Sequence, residues 1–243
     1  MQCIKDCISH IPADITLDEC CRQLTVHLSE AYQSAVAIHS PAAPALPQLP
    51  PEQRPAASVA LFSLYHQQIW LIGDCQCLVD GILYENNKPT EALNAQKRSR
   101  VIHQLLQHET SHCGHPSDYY DVKSSLVKSL QQHDTGRDHI VNDIIASMRE
   151  ANKTYAVIDG TPIYKNGVRI ISTASAHEIV LATDGYPFLL PTLEESEKAL
   201  ADLLATDPLC ISRYQATKGV MQGNISFDDR SYIRIKLNPI STL

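Results

Sequence analysis

Residues 58–81, "SVALFSLYHQQIWLIGDCQCLVDG", decide the fold. A mostly apolar run meets a polar turn at His66-Gln67-Gln68, and "IWLIGD" and "CLVDG" then read as further strands. Runs this short, joined this tightly, pair as antiparallel hairpins, since parallel neighbours need long crossovers. Further along, the chain returns to strands at "TYAVIDGTPI" (154–163), with Asp159-Gly160 as a hairpin turn. "GVRIISTA" (167–174) and "HEIVLATDG" (177–185) follow, and "FDDRSYIRIKL" (227–237) alternates well enough for a final strand over 229–236. The strands form two groups with helices between and after them. This order predicts an α+β fold of antiparallel sheets covered by helices, not a doubly wound parallel sheet.

The helices announce themselves by period and cap. Residues 16–38 carry Leu17, Cys20, Cys21, Leu24, Leu28, Ala31, Tyr32 and Ala35 at helical spacing, with Thr16 and Glu19 as a capping box. Residues 88–108 place Ala92, Ala95, Val101, Ile102, Leu105 and Leu106 on one expected buried side, after Thr90 as cap. "DYYDVKSSLVKSLQQ" and "GRDHIVNDIIASMREAN" are two more helices. Over 192–206, Thr192 and Glu195 make a second capping box before a stripe of Leu193, Ala199, Leu200, Leu203 and Leu204. Residues 40–56 are rich in proline and predict an extended, exposed loop within a single domain spanning 1–243.

Composition narrows the function. The 243 residues are 44% hydrophobic and 19% charged, as in ordinary globular proteins, and can bury a substantial core. A net charge of −7 argues against nucleic acid, whose binders carry a basic patch. No run of about 18 apolar residues predicts a membrane span. The first residues, "MQCIKDCISHIPADITLDE", lack an apolar signal core, so a cytoplasmic protein is expected. The eight cysteines then read as reduced, buried or half-buried thiols.

Three acidic motifs sit at strand ends: Gly73-Asp74, Asp184-Gly185 and Asp228-Asp229. Asp-Gly is a common turn dipeptide, because Asp tolerates the left-handed region and Gly supplies positive φ. Carboxylates from distant segments meeting at strand ends also make an oxygen-ligand site for Mg²⁺ or Mn²⁺. Both readings stand at this point. His103, His108, His112, Cys113 and His115 lie close together, but their spacing matches no zinc motif and reads as a polar loop. Arg137 reads as a surface residue at a helix start. Lys218 and Gly219 lie in the loop before the last strand, where they could touch a substrate.

In order and spacing these pieces resemble the metal-dependent protein phosphatases, the type 2C serine/threonine phosphatase family, over about residues 56–237. "SVALFSLYHQQIWLIGDCQCLV" is similar to the family's hairpin ending in Gly-Asp-Ser, with Cys75 at the serine. "IVLATDGYP" resembles the family's "LASDG", whose aspartate binds metal and corresponds to Asp184. "SFDDRSYIRI" resembles the closing strand, with Asp228 on the metal-binding aspartate, Asp229 on an asparagine and Ser231 on a threonine. The resemblance implies a four-layer α-β-β-α sandwich of two antiparallel sheets. It also implies metal-assisted hydrolysis, in which the ions activate a water and offset phosphoryl charge. Asp184 and Asp228 would hold one Mg²⁺ or Mn²⁺, weakly bound, and Asp74 would brace the strand end.

The family also carries, in its first strands, an Asp-Gly whose aspartate bridges two metals. Asp6 and Asp14 lie in no such context. The expectation is a shortened member, or one that has lost the bridging ligand, with impaired or no catalysis. A phosphoprotein or other phosphate ester is the expected partner class, with no nucleic acid and no membrane. Two other functions compete. One is a non-catalytic regulatory or interaction module on the same fold. The other is an N-terminal-nucleophile amidohydrolase, which needs an exposed nucleophile at a processed N-terminus, and Cys3 after Met-Gln is not so placed.

Overall fold

The computed structural model describes residues 2–38, 44–111 and 115–237. These fall into two compact units, the first from residues up to 88, 147–183 and 232 onward, the second from 89–146 and 184–231.

The first unit holds the seven strands found among the described residues. Strands β1 (Val59–Ser63), β2 (Gln68–Ile72) and β5 (Arg169–Ser172) form one sheet in the order β1-β2-β5. Strands β3 (Gln76–Val79), β4 (Ile82–Glu85), β6 (Glu178–Ala182) and β7 (Tyr232–Lys236) form the other, in the order β4-β3-β6-β7. Every pairing is antiparallel. The expected α+β fold with two antiparallel sheets is present.

β2 explains how the layers meet. Its alternate residues point to opposite faces. Ile69 and Leu71 pack with Ile171 of the same sheet and with Cys77, Ile179 and Leu181 of the other, so the two sheets lie face to face. Trp70 and Ile72 face the other way, onto Ile4 and Cys7 of α1 (Gln2–His10) and Cys20 and Leu24 of α2 (Leu17–Ala37). A strand buried on both faces must read as a continuous apolar run, and "IWLI" does. Thr16 caps α2 by accepting from the Glu19 amide at 3.3 Å. The reciprocal half of the box is diverted, because the Glu19 carboxylate pairs with Arg22 and Gln23.

Two expectations in this unit need correction. The proline-rich segment is not simply extended and exposed. Short 3-10 turns at Leu46–Gln48 and Pro51–Gln53 put Leu46 in the core, and Arg54 reaches Asp159 at 3.0 Å. Residues 40–43 of it lie outside the described residues. Nor is "TYAVIDGTPI" a hairpin: only isolated bridges form there. Asp159 takes its bonds from side chains and a nearby amide instead, accepting from Asn152, Thr161 and Arg54.

The second unit is helical: α3 (Glu91–Thr110), α4 (Pro116–Gln132), α5 (Thr135–Met148) and α6 (Leu193–Thr206), with the segment 207–231. Thr192 caps α6 by accepting from the Glu195 amide at 3.2 Å. The buried face of α3 differs from expectation. Ala95 and Ile102 are buried, but Ala92 is exposed, and Asn94, Arg98 and Ser99 occupy the interior. Arg98 is fully buried and donates to Asp134 and to the carbonyls of Leu209, Cys210 and Ala216. A face that binds main-chain carbonyls has no reason to be apolar. Among the described residues no helix is long and apolar enough to cross a membrane.

Candidate functional site

In the first unit, the end of β2 is locked by Gly73 and Asp74. Gly73 has φ +85°, and a Cβ there would lie 2.1 Å from the Ser58 hydroxyl oxygen. Only glycine serves where both the backbone region and the space forbid a side chain. Ser58 donates to Asp74 Oδ1 at 2.5 Å, and the Lys88 ammonium pairs with Oδ2. Asn86 donates to the carbonyls of Leu71, Gly73 and Gly167 from the other side. Asp74 thus braces the strand end. Burial pushes its carboxyl up, but the Lys88 charge and the hydrogen bonds from Lys88 and Ser58 outweigh it and hold the group below its ordinary value.

In the second unit, the Asp184 carboxylate, two residues past the end of β6, lies within 4.8 Å of that of Glu91 in the first turn of α3. Both residues are half-buried. Asp184 and Gly185 do form a turn, but Gly185 is not in a positive-φ conformation, so backbone conformation does not explain the glycine. The glycine is needed for space: a Cβ would lie 2.3 Å from the Asp229 carbonyl oxygen and 2.8 Å from Arg230 Cβ. The 184–185 turn and the 228–230 segment therefore touch main chain to main chain, with Asp184 and Asp228 each one residue from the contact.

Asp228 has a partner of its own. Its Oδ1 lies 2.7 Å from the Lys218 ammonium and accepts from the Asp229 amide at 2.9 Å. Beside it, Arg230 binds Glu197 through two bonds of 2.7 Å, and Tyr186 donates to Glu197 at 2.6 Å. Burial, then the bond to anionic Glu197, pushes the Tyr186 phenol up to about 12, while the bonds from Arg230 hold Glu197 low. Tyr186 is therefore a fixed donor at neutral pH, bracing the segment that follows the "ATDG" turn.

The donor set suits one hard cation in part. Asp184 and Glu91 offer carboxylate oxygens, the ligands Mg²⁺ and Mn²⁺ prefer. The charge of Asp228 is already balanced by an ammonium group. Glu91 was not singled out from sequence, because an acid in the first turn of a helix reads as a partner of the helix dipole.

The remaining candidates resolve into structural roles. Arg137 donates to the Thr217 carbonyl at 2.9 Å, and Gly219 packs against Leu209 and Arg98. His103 bonds the Ile211 carbonyl, and His108 lies beside Glu109. His112 and Cys113 lie outside the described residues. Cys3 sits half-buried in α1, a helix and not a strand edge. Apart from Cys3, the described cysteines are buried, and all of them are free thiols. Comparison with protein-family models, with curated proteins and with solved structures gives no match.

Proposed function

We propose that the protein is a phosphoesterase-like relative of the type 2C protein phosphatases, acting in a reducing, cytoplasmic setting, that binds one divalent cation weakly and hydrolyses phosphate esters poorly or not at all. The observation that carries this reading is the carboxylate pair of Asp184 and Glu91 where "IVLATDG" leaves its strand. Mg²⁺ or Mn²⁺ bound there would polarise a phosphoryl oxygen and acidify a water. Asp184 and Glu91 would hold the ion, Gly185 allows the 228–230 segment to approach, and Tyr186 with Glu197 and Arg230 keeps that segment in place. A phosphoprotein or small phosphate ester is the substrate class that fits such a centre.

A second reading, a non-catalytic binding module, is favoured by Lys218. Its ammonium on Asp228 already neutralises one of the carboxylates the enzyme reading would use. Calorimetric titration with Mn²⁺, alongside p-nitrophenyl phosphate turnover, separates the two. Weak binding that disappears in Asp184→Asn supports the metal centre, since an amide is a neutral, poorer ligand. Binding that persists unchanged in that variant removes Asp184 from the site, and brisk turnover would contradict the impaired chemistry.

A further inference from the structure

A cavity of about 300 Å³ opens in the second unit among α3, α4 and residues 206–212. That is the lower end of the range for small-molecule pockets. Leu106, Val127, Leu209 and Ile211 supply an apolar floor. Lys123 and Tyr119 stand on the rim, with the ammonium 5.9 Å from the ring centroid.

The charges of this lining do not cancel. Asp207 is its acid, but the carboxylate is turned into its own loop, where it accepts from the amides of Ile211, Ser212 and Arg213. Those bonds leave it little capacity for a ligand. The ring nitrogen Nε2 of His103 is committed to the Ile211 carbonyl. Lys123 has no carboxylate partner among the described residues. A cationic ligand would meet no available acid here. A phosphate dianion would call for several cationic donors, where Lys123 stands alone. What fits is one negative charge attached to an apolar body.

We infer that this cavity binds a small amphipathic monocarboxylate, its carboxylate on Lys123 and its apolar body on the Leu106–Ile211 floor. The site lies apart from the carboxylate pair discussed above and does not depend on that reading.

The test uses the whole chain, with 4-phenylbutanoate and its neutral amide, 4-phenylbutanamide, as probes. Binding is followed by calorimetry and by amide chemical shifts. The acid should shift the amides of 206–212 and bind about tenfold more tightly than the amide, the worth of one charge-assisted contact. Lys123→Met should remove that preference, while Lys128→Met, on the same helix but outside the lining, should keep it. Gln107→Trp, which fills the cavity from the rim, should abolish binding with the fold intact by circular dichroism. Absence of binding at millimolar probe, equal affinity for acid and amide, or shifts confined to other surfaces would each overturn the inference.

Discussion

Arg98 and Asp134 form a buried ion pair in the second unit, with Nε 2.9 Å and Nη2 2.8 Å from the same carboxylate oxygen. The arginine side chain is fully buried and that of the aspartate nearly so. The pair also joins chain segments: Asp134 caps α5 through the Arg137 amide, and Arg98 holds the carbonyls of Leu209, Cys210 and Ala216. Such a pair adds little over a well-packed apolar substitute, but breaking it strands a charge away from water.

Asp134→Ala should therefore destabilise the protein by about 3–5 kcal/mol, read as a lowered urea midpoint. Replacing both partners by Met and Leu should not restore stability, because the three carbonyls bound by Arg98 would then be unsatisfied. A cost for Asp134→Ala below about 1 kcal/mol would mean that water reaches the pair.

Gly185 and Gly73 are both required, for different reasons. Gly185→Ala would place a methyl against main-chain atoms of Asp229 that cannot swing aside. About 1–3 kcal/mol of destabilisation is expected, as for other overpacked sites. Gly73→Ala adds a left-handed backbone penalty to its clash with Ser58, and should cost more. Thermal melts of the two variants rank them. The opposite order would show that the Ser58 contact relaxes and that the Asp229 contact is the harder one.

Where the chain is punctuated by local chemistry, its sequence could be read directly. Thr16 and Thr192 mark helix starts, the turn after Tyr65 separates β1 from β2, and the apolar run of β6 stops at Asp184. What escaped reading depends on partners far away in sequence. β4 is the exception: it is an edge strand whose Ile82 and Leu83 are exposed, so its sequence shows no core face, and a local tight turn at Asp80 and Gly81, both at positive φ, fixes it. Arg98 looks like any exposed helical arginine until the 209–216 segment brings three carbonyls to it. Asp159-Gly160 has the residues of a hairpin turn, but Asn152 and Arg54 take up its carboxylate. At the candidate site, Asp184 could be picked out and Glu91 could not, since only the fold brings the α3 first turn to the "ATDG" turn. Lys218 lies in the loop before the final strand, but only the fold brings its ammonium onto Asp228.

Asp74 makes stability depend on pH in a definite direction. Its carboxyl is held below the ordinary value of 3.8 in the folded chain. A carboxyl with a depressed folded value binds protons more readily when unfolded. It therefore contributes stability above its unfolded pKa and loses it as the pH falls through the folded one. Lys88→Met removes the charge that opposes desolvation, so the folded carboxyl should rise. The variant should then be less stable than the wild type above the unfolded pKa and should lose less stability on acidification, as followed by fluorescence of Trp70 in urea. An unchanged acid limb would mean that the Ser58 bond alone keeps the carboxylate ionised.

Lys218 and Asp228 offer the last prediction, which bears on the proposed metal centre. The ammonium lies 2.7 Å from Oδ1, and both side chains are partly exposed, so the pair is a screened one. An arriving divalent cation that used Asp228 would have to displace it. Lys218→Met should then raise Mn²⁺ affinity by roughly two- to fivefold, the worth of a partly exposed ion pair. The gain should vanish when Asp228→Asn is added, because without the carboxylate there is nothing for Lys218 to compete for. This double-variant cycle isolates the coupling from any general change in charge. If Lys218→Met strengthens Mn²⁺ binding equally with and without Asp228, the lysine acts through its long-range charge alone. The ion is then held by Asp184 and Glu91 without Asp228.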